Sequence, residues 1–429
     1  MGGEVRSMRG LVVAIGALVI AAGCGRVPGG SLPAGDYKLY EAATTGSSQH
    51  VAVIDSRSHS VELNLPLGTP SPDWTHFFTV SSNRLLDLDP RTGASLHSLQ
   101  LPGYFRLPPT TISGVPGGLS PDGRWLVLEA FDSKPSNVPS ATHLLVVDTT
   151  YSKPLKRIDL GGYYQFDAIS NDGQRIYLIE YLSSNEYHVR FYEVGIDRLN
   201  PAAVFDKSDG SATMAGLRLS GVPSPDGHWL YSMYIRQDKG PFIHALSLDN
   251  AIAFCIDLPG YGYASGNGDA EFHWSLALSR DGSHLYAANG ALGIVAQLNT
   301  RGNAPTSVTR TGRVATDTPA VSILAQDVEA KELGANGAAL SPDGRTLVMS
   351  GATGVVWVDT ATLRAQGRQL ANWSVWSLAL SPDGNMLYAV NDAGMIAEMS
   401  MTGPHSATIF GGAPGRPMAL IRVESVSGP

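Results

Sequence analysis

Apolar runs of five to eight residues alternate along the chain with short polar breaks, and one break returns seven times. It reads LSPDG at 119–123, 340–344 and 380–384, PSPDG at 223–227, ISNDG at 169–173, LSRDG at 278–282, and in a worn form PSPDW at 70–74. An apolar run leads into each break (SLAL at 377–380 and 275–278) and an alternating or aromatic-rich run leads out (MLYAVN at 386–391, RWLVLEA at 124–130). That order predicts strand, turn, strand. Proline presets φ for the first central position of a β-turn, aspartate accepts from amides two residues on, and glycine takes positive φ without a Cβ penalty. The repeated aspartate is therefore read as structural, since a catalytic group is not needed seven times.

Measured from aspartate to aspartate (73, 122, 172, 226, 281, 343, 383), the spacings are 49, 50, 54, 55, 62 and 40 residues, a repeat with loops of unequal length. A second strand pair follows most copies, as in HLLVVDTTYSKPLKRIDLGG (143–162), VVWVDTATLRAQGRQL (355–370) and FIHALSLDNAIAFCIDLPG (242–260). Each unit thus has four antiparallel strands. A lone four-stranded sheet with two apolar faces cannot bury both, whereas sheets stacked around a ring can, so the expected fold is all-β, a single β-propeller. Residues 38–66 supply three strands lacking a first, and 412–425 a first strand lacking the rest. Paired, they form a closing blade that hides two sheet edges. With seven turn-bearing units at about 68–104, 114–161, 164–207, 214–259, 272–311, 334–371 and 374–411, the count is eight blades; seven is the alternative if the worn unit merges with the N-terminal segment. A short helical insertion is expected at 320–333.

Residues 1–24 stand outside the repeat. Arg6 and Arg9 precede an uncharged run ending in Ala21-Ala22-Gly23-Cys24, which reads as an export signal too short for a comfortable membrane span. The small residues before Cys24 resemble the lipobox of bacterial lipoproteins, which implies lipidation of Cys24 and anchoring on the outer side of the cell membrane or envelope. Ala21 stands where that motif usually has leucine; an ordinary cleaved signal is the alternative. Residues 25–37 are a Gly/Pro-rich tether, and the propeller spans 38–425. Lipidation leaves Cys255 as the one remaining cysteine, expected as an inert core thiol in AFCIDL.

The phrases LSPDGNMLYAVN, LSRDGSHLYAAN and VDTAT resemble the YVTN-type bacterial propeller repeats and, more distantly, WD-repeat and Tol-system propellers. The resemblance covers nearly all of 38–425 and resides in turns and strand interiors. It implies a propeller and a list of functions: surface adhesion or scaffold modules, periplasmic binding propellers and a few lactonase-like enzymes.

In an up-and-down blade, the turns joining strands one to two and three to four share one face. The opposite face carries the long connections 131–142, 104–115, 261–272 and 301–333, where binding is expected. A candidate aromatic rim lies at the starts of innermost strands: Tyr104, Phe105, Tyr163, Tyr164, Tyr261, Tyr263, Phe272, Trp274, Trp373 and Trp376. Such rings stack on sugars or peptide side chains, or else pack between blades. Arg106, Asp167, Asp269, Glu271 and His273 are the polar neighbours able to orient a ligand.

No CxxCH, HExxH, G-x-S-x-G or GxxxxGK[ST] occurs, the 11 histidines are scattered, and GNGDAE (266–271) lacks EF-hand alternation. No metal or cofactor is expected. A formal charge of −8, from 30 basic and 38 acidic residues, argues against nucleic acid. The expected function is a non-enzymatic, lipid-anchored scaffold for a protein, peptide or glycan. The alternative is a lactonase-like or other hydrolase at the channel mouth, requiring convergence of Asp167, Asp269, Glu271 and His273.

Overall fold

Each recurrent phrase closes a hairpin by one hydrogen-bond pattern. Ser120 Oγ donates to Asp122 and accepts from the Trp125 amide (3.0 Å), while Asp122 Oδ1 accepts from the Arg124 amide (3.1 Å). The serine at 71, 170, 224, 279, 341 and 381 does the same for its own aspartate and the amide five residues on. Glycine takes the following position at φ between +68° and +76° in six copies. In the worn copy Trp74 stands there at φ +58°. A bulky side chain in this region costs about 1–3 kcal/mol. The cost is offset by burial: Trp74 meets Tyr40 edge-on at 4.8 Å, and the Arg422 guanidinium lies over its ring at 5.4 Å.

These hairpins organise a computed structural model that describes residues 35–109, 116–130, 140–183, 186–208, 210, 212–265, 268–301, 305–314, 337–350 and 354–426. Cys24 and the signal, nearly all of the tether, and the 320–333 insertion lie outside the described residues. Eight sheets are present. Named by their first strands, blade 1 begins with Thr69–Pro70, blade 2 with Phe105–Arg106, blade 3 with Tyr164–Ile169, blade 4 with Leu217–Pro223, blade 5 with Trp274–Leu278, blade 6 with Ala338–Leu340 and blade 7 with Val375–Leu380. Blade 8 is the closing one: Arg416–Ser425 pairs antiparallel with Tyr37–Thr45, followed by Ser48–Asp55 and Ser60–Pro66. First strands of blades 4 to 8 touch in succession along one side, so they form the inner wall of the ring.

The core is divided by the gaps between blades. Eight clusters of buried apolar side chains fill eight gaps, from Phe78, Leu85, Leu126 and Leu145 between blades 1 and 2 to Tyr40, Val51, Trp74 and Phe77 between blades 8 and 1. This rules out the seven-blade alternative. The closing seam carries further bonds: Tyr37 Oη donates to Asp383 (2.7 Å), and the Ala413 amide donates to buried Glu41 (2.6 Å).

Three details depart from the sequence reading. Phe105–Arg106 belongs to the inner strand of blade 2, pairing with Glu129 and Ala130, rather than to a connection. The strand then breaks at Pro108 and Pro109, which have no amide to donate, and resumes at the Leu119–Leu126 bridge. Second, the outer strand of blade 3 is only Arg198–Leu199, stopped by Pro201. The chain crosses to blade 4, where Phe205–Asp206 lies parallel to Ile252–Asp257, and returns so that Thr213–Ala215 pairs with Glu186–Glu193. The unit boundary near 207 therefore does not mark a blade boundary. Third, Cys255 is half-buried and borders a cleft instead of sitting in the core.

Candidate functional site

The loop face is first of all a set of stitches between blades. The Phe166 amide donates to Glu129 (3.2 Å), Tyr164 to Thr142 Oγ1 (2.8 Å), Gly337 to Ser275 Oγ (2.9 Å) and Leu420 to Ser377 Oγ (3.1 Å). In each pair one blade accepts the chain of the next. Burial pushes the Glu129 and Glu271 carboxyls above the ordinary range and carries Glu41 up to about 7.

The polar candidates are engaged separately. Asp167 is buried and ion-paired with Arg218 across the gap between blades 3 and 4. Glu271, on the single helical turn Gly268–Glu271, accepts from the Tyr261 amide (2.6 Å) and the Trp274 indole (2.8 Å), clamping its own loop. Asp269 is exposed, and burial lowers the His273 imidazole against the opposing charge of Asp269. Arg106 approaches Glu129 at 3.5 Å. Among the described residues no hydrogen bond joins any two of Asp167, Asp269, Glu271 and His273, and no group of three or more His, Cys, Asp or Glu side chains has the geometry of a metal site.

The ten rings divide likewise. Phe105, Tyr164 and Trp274 are core residues in the gaps, Trp274 only 2% exposed, so none of the three forms part of an open rim. Tyr263 and Phe272, their ring centroids 5.6 Å apart, pack against the core between blades 4 and 5, and Trp373 packs against that between blades 6 and 7. The Trp376 indole donates to the Met418 carbonyl (3.0 Å). Tyr163 is half-buried and stacks on exposed Tyr181. Tyr104 and Tyr261 stand free at 70% and 67% exposure.

The feature the sequence reading missed is the gap between blades 3 and 4. There the Asp167–Arg218 pair borders an axial cavity of about 380 Å³, and on its outer side a cleft of about 570 Å³ opens between residues 213–217 and 236–239. Glu186, Asp206, Phe242, Cys255 and Tyr263 complete the cleft. Rings link the two regions: Tyr181, Tyr187, Tyr234 and Phe242 follow one another at 5.2–6.3 Å, and the Arg236 guanidinium covers Phe242 at 4.7 Å. His244 lies opposite Ser232 on one side and Cys255 on the other in the sheet register. Burial lowers its imidazole to about 4, so it is neutral near pH 7, and among the described residues its Nε2 has no hydrogen-bond partner. One signal was available, because eight of the 16 tyrosines fall between 163 and 234.

No family model matches the sequence, and no curated protein matches it either. Solved structures do share its shape. A dihydro-heme d1 dehydrogenase, NirN, in complex with DHE, aligns over 90% of this chain and 75% of its own at 15% identity, with a TM-score of 0.52. AztD from Citrobacter koseri, in its apo form, aligns over 91% and 98% at 10% identity, with a TM-score of 0.50. The periplasmic gluconolactonase PpgL of Pseudomonas aeruginosa is 20% identical over 89% and 97%, with a TM-score of 0.46. At such identities the likeness concerns the fold alone, and the class the eight sheets define is the eight-bladed β-propeller.

Proposed function

We propose that this protein is a non-enzymatic binding propeller, exported and held to the envelope by a lipid on Cys24, that presents its loop face to a protein, peptide or glycan. The observation that carries this reading is where large apolar side chains meet solvent. Tyr104, Tyr181, Leu182, Leu217 and Tyr261 are all exposed on the loop face, and Leu217 lines the cleft between blades 3 and 4. Exposed apolar groups gathered beside a concavity mark binding surfaces. The hydrolase reading has less support, because Asp167 and Glu271 are tied to separate structural partners and, among the described residues, no hydrogen bond joins any two of the four candidates.

The test uses chain lacking residues 1–24, immobilised and probed with envelope extract and with peptide and glycan arrays. Tyr104→Ala with Tyr261→Ala removes the two freest rings without touching the core. Expected is a specific partner that the double variant loses; retention of every partner would sink the loop-face assignment. Hydrolysis of an aldonolactone above the uncatalysed rate would overturn the non-enzymatic part. Lipid attachment is checked with radiolabelled palmitate, which Cys24→Ser should fail to incorporate.

A further inference from the structure

The cleft between blades 3 and 4 has an unbalanced charge. Asp206 lies on its wall, buried, accepting from the amides of Ser208 (2.8 Å) and Cys255 (3.2 Å). Glu186 and Asp238 border it as well, and among the described residues none of these three carboxylates has a cation within ion-pair distance. Arg236 is matched by Asp257 at 2.6 Å, which leaves Lys239 as the cation facing three anions. A carboxylate held on a wall away from bulk water attracts a positive charge more strongly than one on an open surface. Leu217, 37% exposed, gives the opening an apolar edge. Behind the wall, buried His244 lies opposite Cys255 in the sheet register, its Nε2 without a partner among the described residues.

We infer that the cleft receives a cationic peptide segment of a partner protein, in which a lysine or arginine reaches towards Asp206, Glu186 and Asp238 while flanking apolar residues cover the rim. This rests on the loop-face reading above and narrows it. The aromatic wall suits the same occupant, because half-buried Tyr263 lines the cleft, where its ring can meet a guanidinium or ammonium group. An acidic peptide would meet two excess negative charges, and an uncharged glycan would leave them without partners.

The experiment uses the full chain carrying Cys24→Ser, so that Cys255 is its one thiol. The probes are three labelled hexapeptides: leucine alternating with arginine, with norleucine, and with glutamate. Binding is read by fluorescence polarisation and, independently, by protection of Cys255 from iodoacetamide. The arginine peptide should bind and protect Cys255, and neither of the others should. Glu186→Gln and Asp238→Asn should each weaken it by about tenfold, and so should a rise in salt from about 50 to 500 mM. Equal binding of the arginine and norleucine peptides, binding that leaves Cys255 unprotected, or indifference to both variants overturns the inference. If the arginine peptide fails while an envelope partner or glycan still depends on Tyr104 and Tyr261, the narrower claim falls and the broader one stands. If nothing is retained, both fall.

Discussion

On the turn face, seven copies of one hydrogen-bond pattern stand side by side, each serine gripping its own aspartate and the amide five residues on. On the loop face the stitches differ between gaps: a glutamate and a threonine together accept the next blade's chain between blades 2 and 3, a single serine does so between blades 5 and 6 and between blades 7 and 8, and between blades 3 and 4 the chain crosses twice. The contrast teaches where a repeat protein keeps its freedom. A scaffold needs the same bond in every unit, and a specific site needs something found once. Residues that recur are accordingly the ones whose loss should cost stability. Residues present in one gap alone are the ones whose loss should cost binding.

The largest effect expected is from removing residues 416–429. Arg416–Ser425 is the inner strand of blade 8, and Met418, Leu420 and Val423 fill the gaps on its two sides. Burying each such side chain contributes about 1.5–3 kcal/mol before the strand ladder is considered. Their joint loss is comparable with the whole stability of a typical domain, about 5–15 kcal/mol. Thermal melts followed by circular dichroism should show no cooperative transition. A truncated chain melting as wild type would mean that the ring does not depend on its seam.

Two turns then separate conformation from crowding. Gly344 and Gly384 share φ +71°, but a Cβ on Gly344 would meet nothing within 4 Å, whereas one on Gly384 would stand 2.3 Å from Pro342 Cδ in the neighbouring turn. Gly344→Ala should cost about 1 kcal/mol and Gly384→Ala about 3 kcal/mol in urea unfolding. Equal costs would show that the turns do not brace one another around the face.

Much of this scaffold was readable in advance, and the reason is locality. Ser-Pro-Asp-Gly is a turn by its own chemistry, and the apolar runs beside it specify strands without reference to distant residues. The incomplete units at 38–66 and 412–425, three strands and one, complement each other in number, so the closing blade followed by counting. The site was less legible because it depends on residues far apart. Asp206 meets the Cys255 amide across 49 positions, and Asp167 meets Arg218 across 51. Sequence placed ten aromatic residues at the starts of inner strands. It did not say which way the side chain turned, and Phe105, Tyr164 and Trp274 turned into the gaps. Trp74 was likewise marked by sequence as a worn glycine position, but its role as a wedge under Arg422 needed the closed ring.

The seam between blades 7 and 8 sharpens the comparison through pH. Glu41 is fully buried, one of its oxygens has no partner, and burial raises its carboxyl from 4.5 to about 7. Because the folded value exceeds the unfolded one, the fold takes up a proton. Stability on this account is greatest below pH 4.5, declines as pH rises towards 7, and carries the full cost of a buried carboxylate above that. The span corresponds to at most about 3 kcal/mol. Glu41→Gln keeps an acceptor for the Ala413 amide and removes the charge, so at pH 8 it should stabilise by about 2 kcal/mol, shrinking to nearly nothing at pH 4. A variant less stable than wild type at pH 8 would show that the charged form is the one the seam is built around.

The smallest effect is the one that divides the two faces most cleanly. Asp238 and Lys239 lie in the connection between the second and third strands of blade 4, outside the repeated turns and outside the clusters that fill the gaps. Neither has an ion-pair partner among the described residues, so Asp238→Asn and Lys239→Ala should each change unfolding free energy by no more than about 0.5 kcal/mol. Ser341→Ala, a single atom removed from one of seven equivalent turns, takes away the acceptor for the Thr346 amide (2.9 Å) and should cost about 1 kcal/mol. Binding should rank the variants the other way. Asp238→Asn removes negative charge from the cleft and should weaken a cationic ligand, Lys239→Ala removes the opposing charge and should strengthen it, and Ser341→Ala, on the opposite face and in a different blade, should leave affinity alone. Measured together, the three give a crossed pattern that neither a general loss of folding nor a diffuse change in surface charge produces, because the first would order binding like stability and the second would move affinity without regard to face.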